Sequence, residues 1–205
     1  MILTETLRCE KFVINRGRLT EDFTVCAENF KLMNFQILKK NVIFLMEKIL
    51  ETLSSLGIDW KIQEHKPIFT VEDGRDVKIN LDGIEVKNLF LKDKKGNFVL
   101  LTLSIEKKAN LKELADFLGS GRLSFCNSDE LMKFLSITAG SVSPLCIMSD
   151  TENKVRFLLD SDCKGNQILC HPLRNTATIQ ISCSNLIHFA EHFCHKVTFF
   201  ECNKN

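Results

Sequence analysis

The chain has 205 residues, of which 44% are hydrophobic and 26% charged, as is ordinary for a soluble globular protein with one good core. Its net charge of +1 neither indicates nor excludes nucleic-acid binding, because a local basic face can exist within a neutral total. No apolar run approaches the roughly 18 residues that would span a bilayer, so no membrane association is expected.

The nine cysteines are an odd number, and no two of them have Cys-x-x-Cys spacing. A disulfide framework would favour an even count in a small secreted chain with a signal peptide. We therefore expect reduced thiols and a cytoplasmic location. A basic bias near the N-terminus would suit a mitochondrial presequence, but the acidic residues among the basic ones argue against it.

The first 38 residues have no clean hydrophobic period. They are predicted to form an N-terminal extension of uncertain structure, followed by one domain over residues 39–205. Within that domain, apolar positions recur at helical spacing over residues 39–57. Residues 58–73 then alternate like a strand that is interrupted by Pro67.

Further along, residues 85–105 predict two strands around a tight turn at Lys95-Gly96-Asn97. A short helix is predicted from Asn110, as its N-cap, to Gly119. A second helix is predicted to begin at Asn127 or Ser128 and to close at Gly140.

The remaining segments alternate between strands and one helix, which Ser182 or Ser184 could cap. The strands are predicted at residues 145–150, 154–160, 176–182 and 195–202, and the helix at residues 184–193. This irregular alternation predicts a mixed α/β fold with a central mixed β-sheet flanked by helices.

The sequence lacks the familiar catalytic motifs. No Gly-x-Gly-x-x-Gly, Walker-type loop or Gly-x-Ser-x-Gly elbow is present, and no cofactor is expected. The segment HFAEHFCH offers histidines at i, i+4 spacing that could bind zinc, namely His188 and His192, with Cys194 and His195 beyond them. Histidines at the solvated end of a helix also suit its dipole, and His195 is expected to point elsewhere, so no metal site is predicted. An enzyme with this sequence would rely on positioning, backbone dipoles and groups of its substrate.

The stretch CHPLRNTATIQIS, residues 170–182, places a histidine before a polar run and a strand-like tail. On its own it is either a polar turn or one wall of a pocket. Because adjacent residues on a strand point to opposite faces, Cys170 should face the core if His171 lines a pocket. Cys146, in an apolar strand, is also expected to be packed.

Four motifs in order, KPIFTVED, VKNLFLKDKKGNFVLL, GSVSP and HPLRNTATI, resemble the YbaK/prolyl-tRNA-synthetase-associated editing domain, and LKELADFLG lies between the second and third. The match is to the free-standing PrdX or ProXp-ala type, and it runs from about Lys39 to Cys202. The resemblance implies a trans-editing deacylase that removes alanine from mischarged tRNA(Pro). Its implied partners are the tRNA acceptor stem and prolyl-tRNA synthetase. A second sieve of this kind is needed because one missing methylene changes binding by only about 1–3 kcal/mol.

The resemblance also implies roles for individual residues. Lys87 matches the family's essential lysine, which can hold a phosphate or the scissile end of the tRNA. Asn88 matches the alanine-specific type. The loop from Gly140 to Pro144 would hold the ester carbonyl through its N–H groups, and His171 would position the substrate in a reaction that the terminal ribose hydroxyl assists. The implied catalytic residues are Lys87, Gly140 and His171, and the implied substrate-binding residues are Asn88, Ser141, Val142, Ser143, Pro144, Asn175, Thr176 and Ala177.

Two alternatives stay open at the level of sequence. The protein could deacylate another small aminoacyl-tRNA, such as the cysteinyl or seryl form, or it could be an inactive editing-like domain that binds tRNA or a synthetase. Arg174 and Cys170 depart from the family's usual residues beside the pocket histidine. A basic rim for the acceptor stem is predicted from Lys92, Lys94, Lys95, Lys107, Lys108 and Arg122.

Overall fold

Residues 42–68 and 77–202 are described by the computed structural model, and they form a mixed sheet of eight strands. The strands are β1 Trp60–Glu64, β2 Ile84–Lys92, β3 Phe98–Ser104, β4 Ser124–Phe125, β5 Val155–Asp160, β6 Gln167–Cys170, β7 Ala177–Ser182 and β8 Val197–Phe200. Their order in the sheet is β1-β7-β6-β2-β3-β5-β8, and β4 pairs with β2. Parallel pairs, such as β3 with β5, occur beside antiparallel ones, such as β2 with β3. The predicted mixed α/β class is therefore confirmed.

Four α-helices and two short 3-10 helices accompany the strands in the described part of the chain. The α-helices are α1 at residues 42–55, α2 Leu111–Leu118, α3 Ser128–Leu135 and α4 Cys183–His192, and the 3-10 helices are Pro144–Ser149 and Ser161–Cys163. None of these described helices has the length and apolar character needed to cross a membrane. The predicted extension over residues 1–38 lies outside the described residues.

The two faces of the sheet are covered by different helices. Phe90 of β2 and Leu100 of β3 belong to a core cluster with residues of α1, α3 and α4. Leu91 and Leu101, their chain neighbours, belong to a second cluster with residues of α2. Because side chains alternate along a strand, neighbouring residues of β2 are directed to different environments.

The predicted hairpin of β2 and β3 is confirmed, with its register running from Val86 opposite Ser104 to Lys92 opposite Phe98. Its turn is organised by Asp93, whose carboxylate accepts hydrogen bonds from the N–H groups of Lys95 and Asn97 at 2.8 and 3.0 Å. An aspartate in this position stabilises a turn by satisfying backbone donors that no strand pairs.

The helix caps match the sequence-based predictions at four helix ends. Asn110 caps α2, and Gly119 ends it in the left-handed region at a φ of 61°. Asn127 and Glu130 form a reciprocal capping box at the start of α3. Ser182 caps α4 through the N–H of Asn185 at 3.1 Å.

Two predictions around residues 136–150 are wrong. Helix α3 ends at Leu135, and Ser136 rather than Gly140 caps it, at a φ of 56°. The segment predicted as a strand at residues 145–150 lies instead in the 3-10 helix Pro144–Ser149, which Ser143 caps. Proline at the first helical position, behind a serine cap, favours this turn over a strand.

Other boundaries also differ from the predictions. The strand predicted over residues 58–73 is only Trp60–Glu64 within the described residues, and residues 69–73 lie outside them. The short strands Ser124–Phe125 and Gln167–Cys170 were not predicted. Strands of two and four residues are too short to produce a periodic pattern.

Candidate functional site

The loop after α3 is tied to the turn that follows β6. Ser143 is fully buried, and its hydroxyl donates a hydrogen bond to the carbonyl oxygen of His171 at 2.7 Å. The same oxygen atom of Ser143 accepts from the N–H of Leu145 at 3.4 Å, as the cap of the 3-10 helix. One side chain therefore fixes the loop, the helix that follows it and the histidine turn.

Asn88 joins the sheet to the same loop. Its Nδ2 donates to the carbonyl oxygen of Val142 at 3.0 Å, and its Oδ1 accepts from the hydroxyl of Thr102 at 2.7 Å. The structure thus brings Asn88, Val142, Ser143 and His171 together. We call this set, with Thr102, the Asn88 network.

The loop also presents backbone donors. The N–H of Ser141 donates to the carbonyl oxygen of Thr138 at 3.1 Å. Within the described residues, no hydrogen bond engages the N–H groups of Gly140, Val142 or Ser143. Gly140 itself has a φ of 84°, which favours glycine and turns the backbone into the loop. Such a loop can offer N–H groups to a developing negative charge.

The imidazole of His171 is adapted to be neutral. Burial lowers the pKa of this ring below its usual value, and the nearby backbone of Val142 opposes the shift only in part. Its Nδ1 is buried and has no hydrogen-bond partner among the described residues. A neutral ring with one uncommitted nitrogen can donate to or accept from a bound group.

Lys87 lies on the other face of the sheet. It is opposite Leu103 in the hairpin, and its Nζ donates to the carbonyl oxygen of Ile105 at 3.0 Å. Burial lowers the pKa of this lysine, and the positive charge of Lys108 lowers it further. The hydrogen bonds of the described residues join Gly140's loop to His171, but they do not join Lys87 to the Asn88 network.

The turn with Asn175, Thr176 and Ala177 is held against the segment after β1. The carbonyl oxygens of Asn175 and Thr176 accept from the N–H groups of Ile68 and His65, at 2.8 and 2.9 Å. Arg174 pairs with Glu64 and also donates to the hydroxyl of Thr176 at 3.3 Å. Arg174, which departs from the residue usual in the family, therefore forms an ion pair at the edge of this turn.

The predicted basic rim loses one of its members. Lys107 is only 3% exposed, and its Nζ lies 3.0 Å from Asp160 Oδ1 and 2.7 Å from Asp162 Oδ2. Its charge is compensated inside the protein, so the prediction for Lys107 is wrong. Lys92 is paired with Glu130. The exposed members of the rim are Lys94, Lys95, Lys108 and Arg122.

The two cysteines beside the loop and the histidine are packed, as predicted. Cys146 and Cys170 are buried, and burial raises the pKa of each thiol to about 12. Cys146 lies in the 3-10 helix rather than in a strand, and its Sγ donates to the carbonyl oxygen of Ser143 at 2.6 Å.

The histidines of the HFAEHFCH segment diverge. His195 is buried and its Nε2 lies 3.1 Å from the carbonyl oxygen of Asp150, whereas His188 and His192 are exposed on α4. The described residues contain no group of three or more His, Cys, Asp and Glu that could hold a metal ion.

Two surface clefts, of about 190 and 160 Å³, are lined by residues that do not belong to the Asn88 network.

Sequence reasoning did not single out Thr102 or His65. Thr102 lies within the apolar run of β3, where a threonine is usual for a strand and gives no signal of a special role. His65 contacts the hydroxyl of Thr178 through Nε2 at 3.0 Å, a contact across 113 residues that no local pattern shows. The contact of Thr102 with Asn88 depends on the pairing of β2 with β3, and that of His65 with Thr178 depends on the pairing of β1 with β7.

The fold and the Asn88 network define a mixed α/β domain with a polar wall made from a sheet, a glycine-containing loop and a histidine turn. The family model of the aminoacyl-tRNA editing domain matches residues 65–189, a range that contains the whole network. The chain belongs to this family.

Curated relatives agree with that assignment, and a solved structure shares the fold. The chain is 36% identical over 143 residues to the prolyl-tRNA editing protein ProX of Acetoanaerobium sticklandii, covering 68% of this chain and 87% of the relative. It is 34% identical over 154 residues to prolyl-tRNA synthetase associated domain-containing protein 1 of Danio rerio, covering 74% and 84%. A crystal structure of a candidate trans-editing enzyme for prolyl-tRNA synthetase shares the fold, with a TM-score of 0.61 at 16% identity, over 78% of this chain and 98% of that one.

Proposed function

We propose that this protein is a trans-editing aminoacyl-tRNA deacylase that removes alanine from mischarged tRNA(Pro). The observation that carries the proposal is the Asn88 network, which lies wholly within the family match and links the residues expected to form the aminoacyl pocket. Relatives named for prolyl-tRNA editing and for prolyl-tRNA synthetase support the choice of tRNA. The proposed partners are the acceptor stem of tRNA(Pro) and prolyl-tRNA synthetase, and the proposed location is the cytoplasm.

The proposed reaction is hydrolysis of the ester between alanine and the terminal ribose. Water attacks the ester carbonyl, the bond from that carbon to the ribose oxygen breaks, and alanine and a free ribose hydroxyl result. The unengaged N–H groups of the loop at Gly140, Val142 and Ser143 hold the carbonyl oxygen as negative charge develops on it. The terminal ribose hydroxyl helps to orient the water, and the neutral His171 ring positions the substrate.

A deacylation panel tests this proposal directly. The full chain is incubated with alanyl-, cysteinyl-, seryl- and prolyl-tRNA(Pro), and with alanyl-tRNA(Ala) to test the choice of tRNA. We expect fast release of alanine from tRNA(Pro) and little release of proline. Faster hydrolysis of the cysteinyl or seryl substrate would reassign the amino acid. Binding of tRNA without hydrolysis of any substrate would identify an inactive editing-like domain.

A further inference from the structure

We propose that Thr102 is a positioning residue that fixes the side-chain amide of Asn88, and that Asn88 acts on the substrate through the loop at Val142 rather than by touching the aminoacyl group. The inference rests on the proposed deacylase function and adds a residue to it. It also changes the expected role of Asn88 from substrate ligand to support for the loop.

The orientation of the Asn88 amide follows from its two neighbours. The Val142 carbonyl can only accept a hydrogen bond, so the end of the amide that faces it, at 3.0 Å, must be the donor Nδ2. The acceptor Oδ1 then faces Thr102, whose hydroxyl must donate to it across 2.7 Å. Thr102 can fill this role because it is directly opposite Asn88 in the hairpin register.

Thr102 is fully buried, so water cannot replace its hydroxyl in the folded protein. Without that donor, Oδ1 would be left unsatisfied, and the amide would gain by rotating away from the loop. The hydroxyl therefore decides whether Nδ2 stays on the Val142 carbonyl.

A rotation of the Asn88 amide would change the position of Val142 and so affect the rest of the site. The next residue, Ser143, donates its hydroxyl to the backbone carbonyl oxygen of His171 at 2.7 Å, so the position of Val142 is coupled to the histidine turn. A shift of Val142 thus moves both the loop that presents N–H groups and the histidine that positions the substrate. Since both ends of the Asn88 amide are already engaged, contact with the aminoacyl group is not needed to explain why an asparagine stands here.

The test compares Thr102→Val, which has nearly the same shape but no hydroxyl, with the matched control Thr102→Ser, which keeps the hydroxyl. We expect Thr102→Val to lower kcat for alanyl-tRNA(Pro) on the order of tenfold to 100-fold with little change in KM, and Thr102→Ser to stay close to the wild type. Asn88→Ala should lose a similar factor, and the double variant Thr102→Val/Asn88→Ala should lose no more than Asn88→Ala alone. Additive losses, or a Thr102→Val variant with wild-type kcat, would overturn the proposal.

A second measurement does not depend on activity. In NMR spectra of the full chain, the side-chain NH₂ of Asn88 should be protected from solvent exchange in the wild type and in Thr102→Ser, and unprotected in Thr102→Val. Thr102→Ala serves for the same comparison if Thr102→Val does not fold. If the wild type hydrolyses no aminoacyl-tRNA, the proposed function fails while the exchange data still decide the role of Thr102. Equal protection in all variants would overturn that role whatever the activity.

Discussion

Lys87 is half-buried, and its ammonium group donates a hydrogen bond to the neutral carbonyl of Ile105. No described carboxylate lies within ion-pair distance of this ammonium group. Its positive charge is therefore not cancelled and can attract a phosphate of the tRNA end. We expect Lys87→Ala to lose most deacylation while its melting temperature changes little, and the exposed Lys196→Ala to serve as the matched control. Unchanged activity together with an unchanged melting curve would exclude a role for Lys87 in the reaction.

The thiols of Cys146 and Cys170 are placed close to the site but are unsuited to be nucleophiles. Each is buried and neutral, with its pKa raised to about 12, and a thiol reacts as the thiolate. We expect Cys146→Ser and Cys170→Ser each to keep deacylase activity and to lose about 1–3 kcal/mol of stability, because each buries a more polar group. Mass spectrometry should find no aminoacyl-thioester on the wild type. Such an adduct, or lost turnover in a fully folded Cys170→Ser, would overturn direct attack by water.

At the scale of the element, the loop between α3 and the 3-10 helix allows a controlled test. Gly140 has a φ of 84° and Gly96, in the hairpin turn, a φ of 82°, and an added Cβ would meet nothing within 4 Å at either position. Alanine at each site therefore costs a similar backbone strain of about 1–2 kcal/mol without a clash.

Because only Gly140 belongs to the loop that presents N–H groups, we expect Gly140→Ala to lose deacylation on the order of 100-fold and Gly96→Ala to keep it. Melting curves of the two variants should shift by comparable amounts. Equal activity in both variants would show that the shape of the Gly140 loop does not matter for the reaction.

The elements that the sequence predicted well are those bounded by turn and helix-capping residues close by in the chain. The β2–β3 hairpin and the caps at Asn110 and Asn127 depend on residues within a few positions of one another. The segment at residues 145–150 was mistaken for a strand because its run of buried residues has no period, and periodicity cannot separate a buried strand from a short helix. The left-handed cap at Ser136 was missed because glycine is the usual residue in that conformation.

The candidate site was predicted only in part, because it depends on contacts between distant segments. The resemblance pointed to Asn88, the Gly140 loop and His171, and the structure joins all three through hydrogen bonds spanning 54 and 28 residues. The role of Thr102 could not be predicted from the sequence, because its contact with Asn88 depends on the register of the hairpin. The motif match predicts one site for Lys87 and its neighbour Asn88. Side chains alternate along a strand, however, so the two residues lie on opposite faces of the sheet.

At the scale of the whole molecule, a net charge of +1 is consistent with tRNA binding only if basic residues are concentrated on one part of the surface. Four members of the predicted rim are exposed, whereas the buried Lys107 is paired with Asp160 and Asp162, and Lys92 is paired with Glu130. Few phosphate contacts are therefore available, which limits how steeply affinity can fall with salt.

We expect the logarithm of the tRNA binding constant to fall with the logarithm of salt concentration with a slope no steeper than about −4.5, at about −0.9 for each of the four exposed rim charges and for Lys87. Lys94→Ala combined with Lys95→Ala should make the slope shallower by about 1.8. Lys107→Met should leave the slope unchanged but destabilise the fold, because it leaves Asp160 buried without its cation. Binding isotherms at several salt concentrations measure each slope, and an affinity that does not change with salt would reduce these lysines to an ordinary solvated surface.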